Sequence, residues 1–224
     1  MSFVKKNIIK SSLLCLVFWG VNAQQYLSPE YIKVTNERAS KIVAKLALPK
    51  PEKEQKVTLI IAQQFRNLTK IQDERDAEIE KIKNSGVSKE QQTTQLNQIK
   101  EKANQAINEL HTNYVKQLTT ELDENKIIEV KDGMTYGVVP ITYAGYQDML
   151  PNLTEEQKKY IYTNLVEARE HAMDGGTSKE KHAWFGKYKG RINNYLSSQG
   201  YDLNKESTDW HKRIEDRQKS KVEK

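Results

Sequence analysis

The chain has 224 residues, 36 of them lysine or arginine and 30 aspartate or glutamate, for a formal charge of +6. Its one cysteine, Cys15, rules out an internal disulfide and a multi-thiolate metal site. Met1 to Ala23 has the pattern of a secretory signal, with Lys5, Lys6 and Lys10 before an apolar run from Leu13 to Gly20 and a small-residue cleavage site at Val21-Asn22-Ala23.

Leu14, where a lipoprotein signal needs a small residue before Cys15, points instead to an exported, periplasmic or extracellular protein. An uncleaved signal anchor is the alternative, but the apolar run is shorter than the roughly 20 residues a membrane span requires. No span is expected once the signal is cleaved. Cleavage removes Cys15 and three lysines but no acid, lowering the formal charge from +6 to +3. With that small excess and an exported address, no nucleic-acid partner is expected. The remaining residues suffice for one large domain or two small ones.

A first helix begins at Ser28-Pro29-Glu30, with proline at the first helical position, and stops at Pro49 and Pro51. A second, Glu52 to Lys83, carries Val57, Ile61, Leu68, Ile71 and Ile82 near a 3.5-residue period and ends at Asn84-Ser85-Gly86. Ser88 and Gln91 form a capping box for a third, whose stripe runs through Leu96, Ile99, Ala103, Leu110, Tyr114 and Leu118. The two narrow stripes predict a long antiparallel hairpin. It reads either as a structural coiled coil or as an arm for a protein partner or self-association.

Between Glu129 and Tyr143 two readings compete. Asp132-Gly133 suits a two-residue turn in a short β-hairpin over 128–142, and it equally suits a helix ending at Gly133. Thr154 with Gln157 then caps a helix that stops at Gly175-Gly176, and Thr177 with Glu180 caps another that stops near Gly200. An amphipathic piece around Trp210 and Ile214 follows, and a frayed charged tail is expected from Arg217. The fold class is mainly α. The parse is a signal over 1–23, an N-terminal helix over 24–51, the hairpin over 52–124, a helical body over 125–216 and a tail over 217–224.

The densest group of site-like residues lies between Lys181 and Tyr195. At 3.6 residues per turn, Trp184, Phe185, Tyr188, Ile192, Tyr195 and Leu196 share one face, while Ala183, Gly186, Gly190, Asn193 and Asn194 share the other. The aromatic face is either a core stripe or a stacking platform. Glycines four apart in a helix point to close approach by another helix or a flat ligand. On the preceding helix His171 lies within reach of Glu167 and Asp174, as in a carboxylate-oriented base or a solvated surface pair. No histidine pair has zinc spacing, and no phosphate-binding glycine loop or nucleophile elbow occurs, so neither metal nor cofactor is expected. Flat rings beside amides and bases suit a saccharide, through the apolar side of a pyranose, its hydroxyls or a uronate carboxylate. The expected ligand-binding residues are Arg169, His171, Lys187, Arg191, Asn193, Asn194 and Trp210.

Tyr143 to Tyr146, Met149 to Thr154, Glu167 to Asp174 and Lys179 to Asp202 carry a resemblance. From about Tyr136 to Trp210 the chain resembles a family of exported proteins of the Bacteroidota, catalogued as a domain of unknown function and described as sugar-binding. The resemblance implies an exported helical protein associated with breakdown of pectic or other plant polysaccharides, and it carries over no catalytic residue. Leu153 to Gln157 also resembles the Leu-Thr-x-x-Gln signature of periplasmic helical chaperones. Three functions follow as expectations: an oligosaccharide- or polysaccharide-binding protein of polysaccharide utilisation; a lyase or hydrolase on acidic sugars with His171 or a tyrosine as base and Arg169 or Arg191 neutralising a uronate; and a chaperone or assembly factor acting through the hairpin.

Overall fold

A computed structural model describes residues 28–222, so the signal read at Met1 to Ala23 lies outside it. The described residues form eight α-helices: α1 (Pro29–Val43), α2 (Pro51–Lys83), α3 (Lys89–Thr119), α4 (Glu124–Met134), α5 (Val138–Met149), α6 (Glu155–Met173), α7 (Ser178–Ser198) and α8 (Leu203–Val222). A 3-10 turn, Ala44–Leu46, extends α1, and no strand occurs among the described residues. No described helix is long and apolar enough to cross a membrane.

Side-chain caps fix the helix starts. Ser28 accepts from the Tyr31 amide and Asp123 from the Lys126 amide, while Ser88, Thr154 and Thr177 form reciprocal boxes with Gln91, Gln157 and Glu180. Each cap satisfies an amide that the helix leaves unpaired and contributes about 1 kcal/mol.

The helices α2 and α3 pack against each other over about 50 Å. Their inner halves bury Val57, Ile61, Ala62 and Leu68 opposite Ala103, Tyr114 and Leu118. Between Thr69 and Lys102 no residue is fully buried, so the outer halves extend from the body as an arm.

Two hydrophobic cores meet at the C-terminal end of α6. The first joins Ile42, Val43 and Leu46 to Val57, Ile61, Tyr114, Leu118, Ile127, Val130 and Met134, with Met173 as the contribution of α6. The second joins Val139, Tyr146 and Leu150 to Ile161, Leu165, Ala168 and Ala172 of α6 and to Phe185, Tyr188, Ile192 and Leu196 of α7. A band of charge runs between them. Arg169 Nη1 donates to Asp132 Oδ1 at 2.9 Å, Arg169 also pairs with Glu170, and Lys131 Nζ reaches Glu170 Oε2 at 2.6 Å. From the arm, His111 Nδ1 lies 2.8 Å from Asp174 Oδ2 and its Nε2 3.7 Å from Glu170 Oε2. Gln72 on α2 donates to the Asp174 carbonyl at 3.3 Å, and a Cβ at Gly176 would fall 1.7 Å from its side-chain oxygen. The α6–α7 connection is therefore seated on the root of the arm. Lys181 Nζ closes the end of α6 by donating to the carbonyls of Ala172 and Met173. Burial lowers its pKa to about 8.

The β-hairpin reading over 128–142 is corrected. Gly133 lies inside α4, where a Cβ would come 2.8 Å from Ile42 Cγ2, so this glycine serves close packing of α4 on α1 rather than a turn. The turn falls at Tyr136-Gly137, both left-handed with φ of 62° and 69°, and Pro140 occupies the first turn of α5, where its missing N–H leaves no helix bond unmade. The helix α8 runs on to Val222, through the segment expected to fray.

His111 titrates with a raised pKa, first because Asp174 accepts its hydrogen bond and against the opposing effect of burial. A group whose folded pKa is raised stabilises fully below its unfolded value of about 6.5, and that stabilisation is lost as pH rises through the folded value. His111→Gln is therefore expected to lower stability by about 2 kcal/mol at pH 5, as for a hydrogen bond between charged groups, with the deficit shrinking towards pH 9. Urea titrations of both proteins across that range measure it. A deficit independent of pH would show that the imidazole acts only by packing.

Candidate functional site

The inner face of the α6/α7 pair is the second core, and the opposite, outer edge is a ladder of cross-helix pairs. Tyr160 stacks on Tyr195 with ring centroids 3.9 Å apart, Arg191 Nη1 reaches Asn164 Oδ1 at 3.4 Å, the Tyr188 hydroxyl donates to Glu167 Oε1 at 2.6 Å, and His171 stacks on Trp184 at 4.4 Å and 15°. Steps of four, three and four residues along α6 meet the same steps backwards along α7. This antiparallel register lets the side chains of one edge meet rung by rung over about 16 Å.

Two cations lie over the rings. Lys187 Nζ is 4.9 Å from the Trp184 ring centroid, and the Arg191 guanidinium carbon is 4.5 Å from that of Tyr188. A cation held over a ring face is attracted by the ring quadrupole, which orients long side chains that solvent would otherwise leave mobile. Tyr188 itself is buried, and burial before all else raises its pKa, with the Glu167 hydrogen bond adding to the rise. Its hydroxyl is thus a donor, and Glu167 its acceptor.

Of the residues expected to bind ligand, His171, Lys187 and Arg191 share this seam, and exposed Asn194 lies on the same side of α7 as Lys187. The other three are engaged elsewhere. Arg169 points to α4 and is 4% exposed in its ion pairs. Asn193 accepts a 2.6 Å hydrogen bond from the Tyr146 hydroxyl on the opposite flank of α7. Trp210 donates to Asp148 Oδ2 at 2.6 Å, and Arg217 grips both oxygens of the same carboxylate at 2.8 and 3.0 Å. With Arg213 bound to the Asp148 and Met149 carbonyls, that cluster ties α8 to the end of α5. Chiefly through Arg217, it holds the Asp148 pKa down at about 2.

His171 also differs from its expected pairing with Glu167 and Asp174. Those carboxylates turn to Tyr188 and to His111, and the imidazole stacks on Trp184 instead. Spacing put Tyr160 on the same stripe of α6 as Glu167 and His171 but did not single out Asn164. The signal that finds it is the matched four-three-four stepping of polar and aromatic residues on two consecutive capped helices. The aromatic stripe of α7 divides: Phe185, Tyr188, Ile192 and Leu196 are core, while Trp184 and Tyr195 are half-buried at the rim and stack outward.

These features define a mainly α-helical protein with an arm clasped to a body whose outer edge presents stacked rings and cations. A model of a family described as proteins of unknown function (DUF3826) matches residues 32–216, and the chain belongs to that family. The match takes in the arm as well as the body. No curated protein matches the chain.

No other helix approaches Gly186 or Gly190 among the described residues, since a Cβ at either would meet nothing within 4 Å. Gly186→Ala and Gly190→Ala are each expected to stabilise the protein by about 0.5–1 kcal/mol, because alanine lowers the entropy of the unfolded chain and is the better helix former. Urea unfolding measures this. Destabilisation by either substitution would show that a further surface packs on this strip.

Proposed function

We propose that the protein is an exported saccharide-binding protein and that the ligand lies along the outer seam of α6 and α7. The observation that carries the reading is the His171–Trp184 stack with Lys187 over its indole, one turn from Arg191 over Tyr188. Rings ordered by their neighbours present apolar edges at little entropic cost, which suits the C–H groups of a pyranose. Beside them exposed Asn194 and Arg191 supply donors and acceptors for hydroxyls. The signal pattern of Met1 to Ala23 and the resemblance to exported proteins described as sugar-binding support the same reading.

Proton abstraction by Tyr188 is disfavoured. A tyrosine base must give up its proton near neutral pH, whereas the burial and the Glu167 contact of Tyr188 oppose that loss.

Neutral and acidic oligosaccharides are expected to raise the melting temperature of the protein saturably, as any ligand selective for the native state does. Arg191→Ala and Trp184→Ala are expected to weaken binding about ten-fold or more, the loss of one good polar or stacking contact. Asn193→Ala and Trp210→Ala, whose side chains are committed to Tyr146 and Asp148, are expected to leave affinity within about two-fold. Absence of any shift in a cooperatively melting sample would refute the function. Losses confined to the Asn193 and Trp210 variants would move the site to the other flank.

A further inference from the structure

We infer that the saccharide is acidic and that its carboxylate seats between Lys187 and Arg191; this rests on the saccharide reading of the seam. The inference begins with charge that the fold leaves unbalanced. Lys187 and Arg191 stand four residues apart on α7, about 6 Å along its axis, where like charges repel. Lys187 makes no ion pair or hydrogen bond among the described residues, and its Nζ lies 4.9 Å from the Trp184 ring centroid and 6.0 Å from that of Tyr188. Arg191 is 44% exposed; its guanidinium carbon lies 4.5 Å from the Tyr188 ring centroid, and its contacts to Asn164 and Glu167 are long, 3.4 and 3.5 Å.

Glu167 is the only carboxylate in the ladder, and it is partly spent. Its Oε1 takes the Tyr188 hydroxyl at 2.6 Å, and only Oε2 faces Arg191. Lys187 and Arg191 against Glu167 leave the ladder one positive charge in excess. The guanidinium fork matches a carboxylate bidentately, and a lysine one turn away adds a second charge-assisted donor. Contact with the rings aligns both cations along the seam, so little side-chain freedom remains to be lost on binding. A ligand carboxylate would relieve the repulsion between them, and a neutral sugar would leave it in place.

The test compares a uronic-acid oligosaccharide with its carboxyl-reduced neutral counterpart by calorimetric titration of the full chain. The acid is expected to bind about ten-fold tighter at low ionic strength, the contribution of one charge-assisted contact. The preference is expected to fall as salt is added and to approach unity in a Lys187→Gln, Arg191→Gln variant that melts cooperatively. Equal wild-type affinities would overturn the acid preference while leaving saccharide binding intact. Binding of neither oligomer would defeat the saccharide reading itself. A preference that survives in the double variant would place the carboxylate elsewhere and overturn the assignment. A sulfated neutral oligomer serves as a third ligand, and tighter binding of it than of the uronate would replace the carboxylate with a sulfate ester and overturn the inference.

Discussion

Arg169 carries a permanent charge on a side chain only 5% exposed, and its partners set how the two cores of the molecule are joined. Taking a guanidinium out of water is unfavourable by several kcal/mol unless fixed anions replace the solvent. Asp132 on α4 and Glu170 on α6 are those anions, and Lys131 and His111 converge on Glu170 in turn. A purely apolar contact between α4 and α6 would tolerate sliding by a turn, because one aliphatic side chain replaces another at little cost. The ion pairs do not tolerate it, since a slip would strand a buried charge. The band thus opposes slippage of α4 along α6.

The register of α6 against α7 produces the seam. Small residues on the inner face of α6, Ala168 and Ala172, leave room for Phe185, Tyr188 and Ile192 of α7, so the bulk of the interface lies on one side of the pair. Residues on the opposite edge then meet at matched heights without being covered. Tyr188 spans both sides, its ring in the core and its hydroxyl on Glu167, which anchors the middle of the ladder to the interior. Arg191 rests on that ring, so a deeply packed residue positions a surface cation.

Helix boundaries are readable from sequence because capping is local. Ser28, Ser88, Thr154 and Thr177 each act on an amide three residues away, and that spacing is visible in one dimension. Gly133 shows where local reading stops. Asp132-Gly133 has turn chemistry, yet the reason for the glycine is Ile42, 91 positions earlier, and the reason for the aspartate is Arg169, 37 positions later. The expected site divides along the same line. His171, Lys187 and Arg191 meet because they belong to one pair of consecutive antiparallel helices, whose register stepping predicts. Arg169, Asn193 and Trp210 share composition with a binding site, but Asp132, Tyr146 and Asp148 claim them, and helical periodicity carries no information about partners on α4 and α5.

The last turn of α6 is where the parts communicate. Within four successive residues His171 faces the seam, Ala172 enters the second core, Met173 enters the first, and Asp174 receives His111 and Gln72 from the arm. A rotation of this turn that improved one contact would disturb the other three, so the arm root and the Trp184 stack are constrained together. The junction is therefore held by geometry that several contacts enforce jointly.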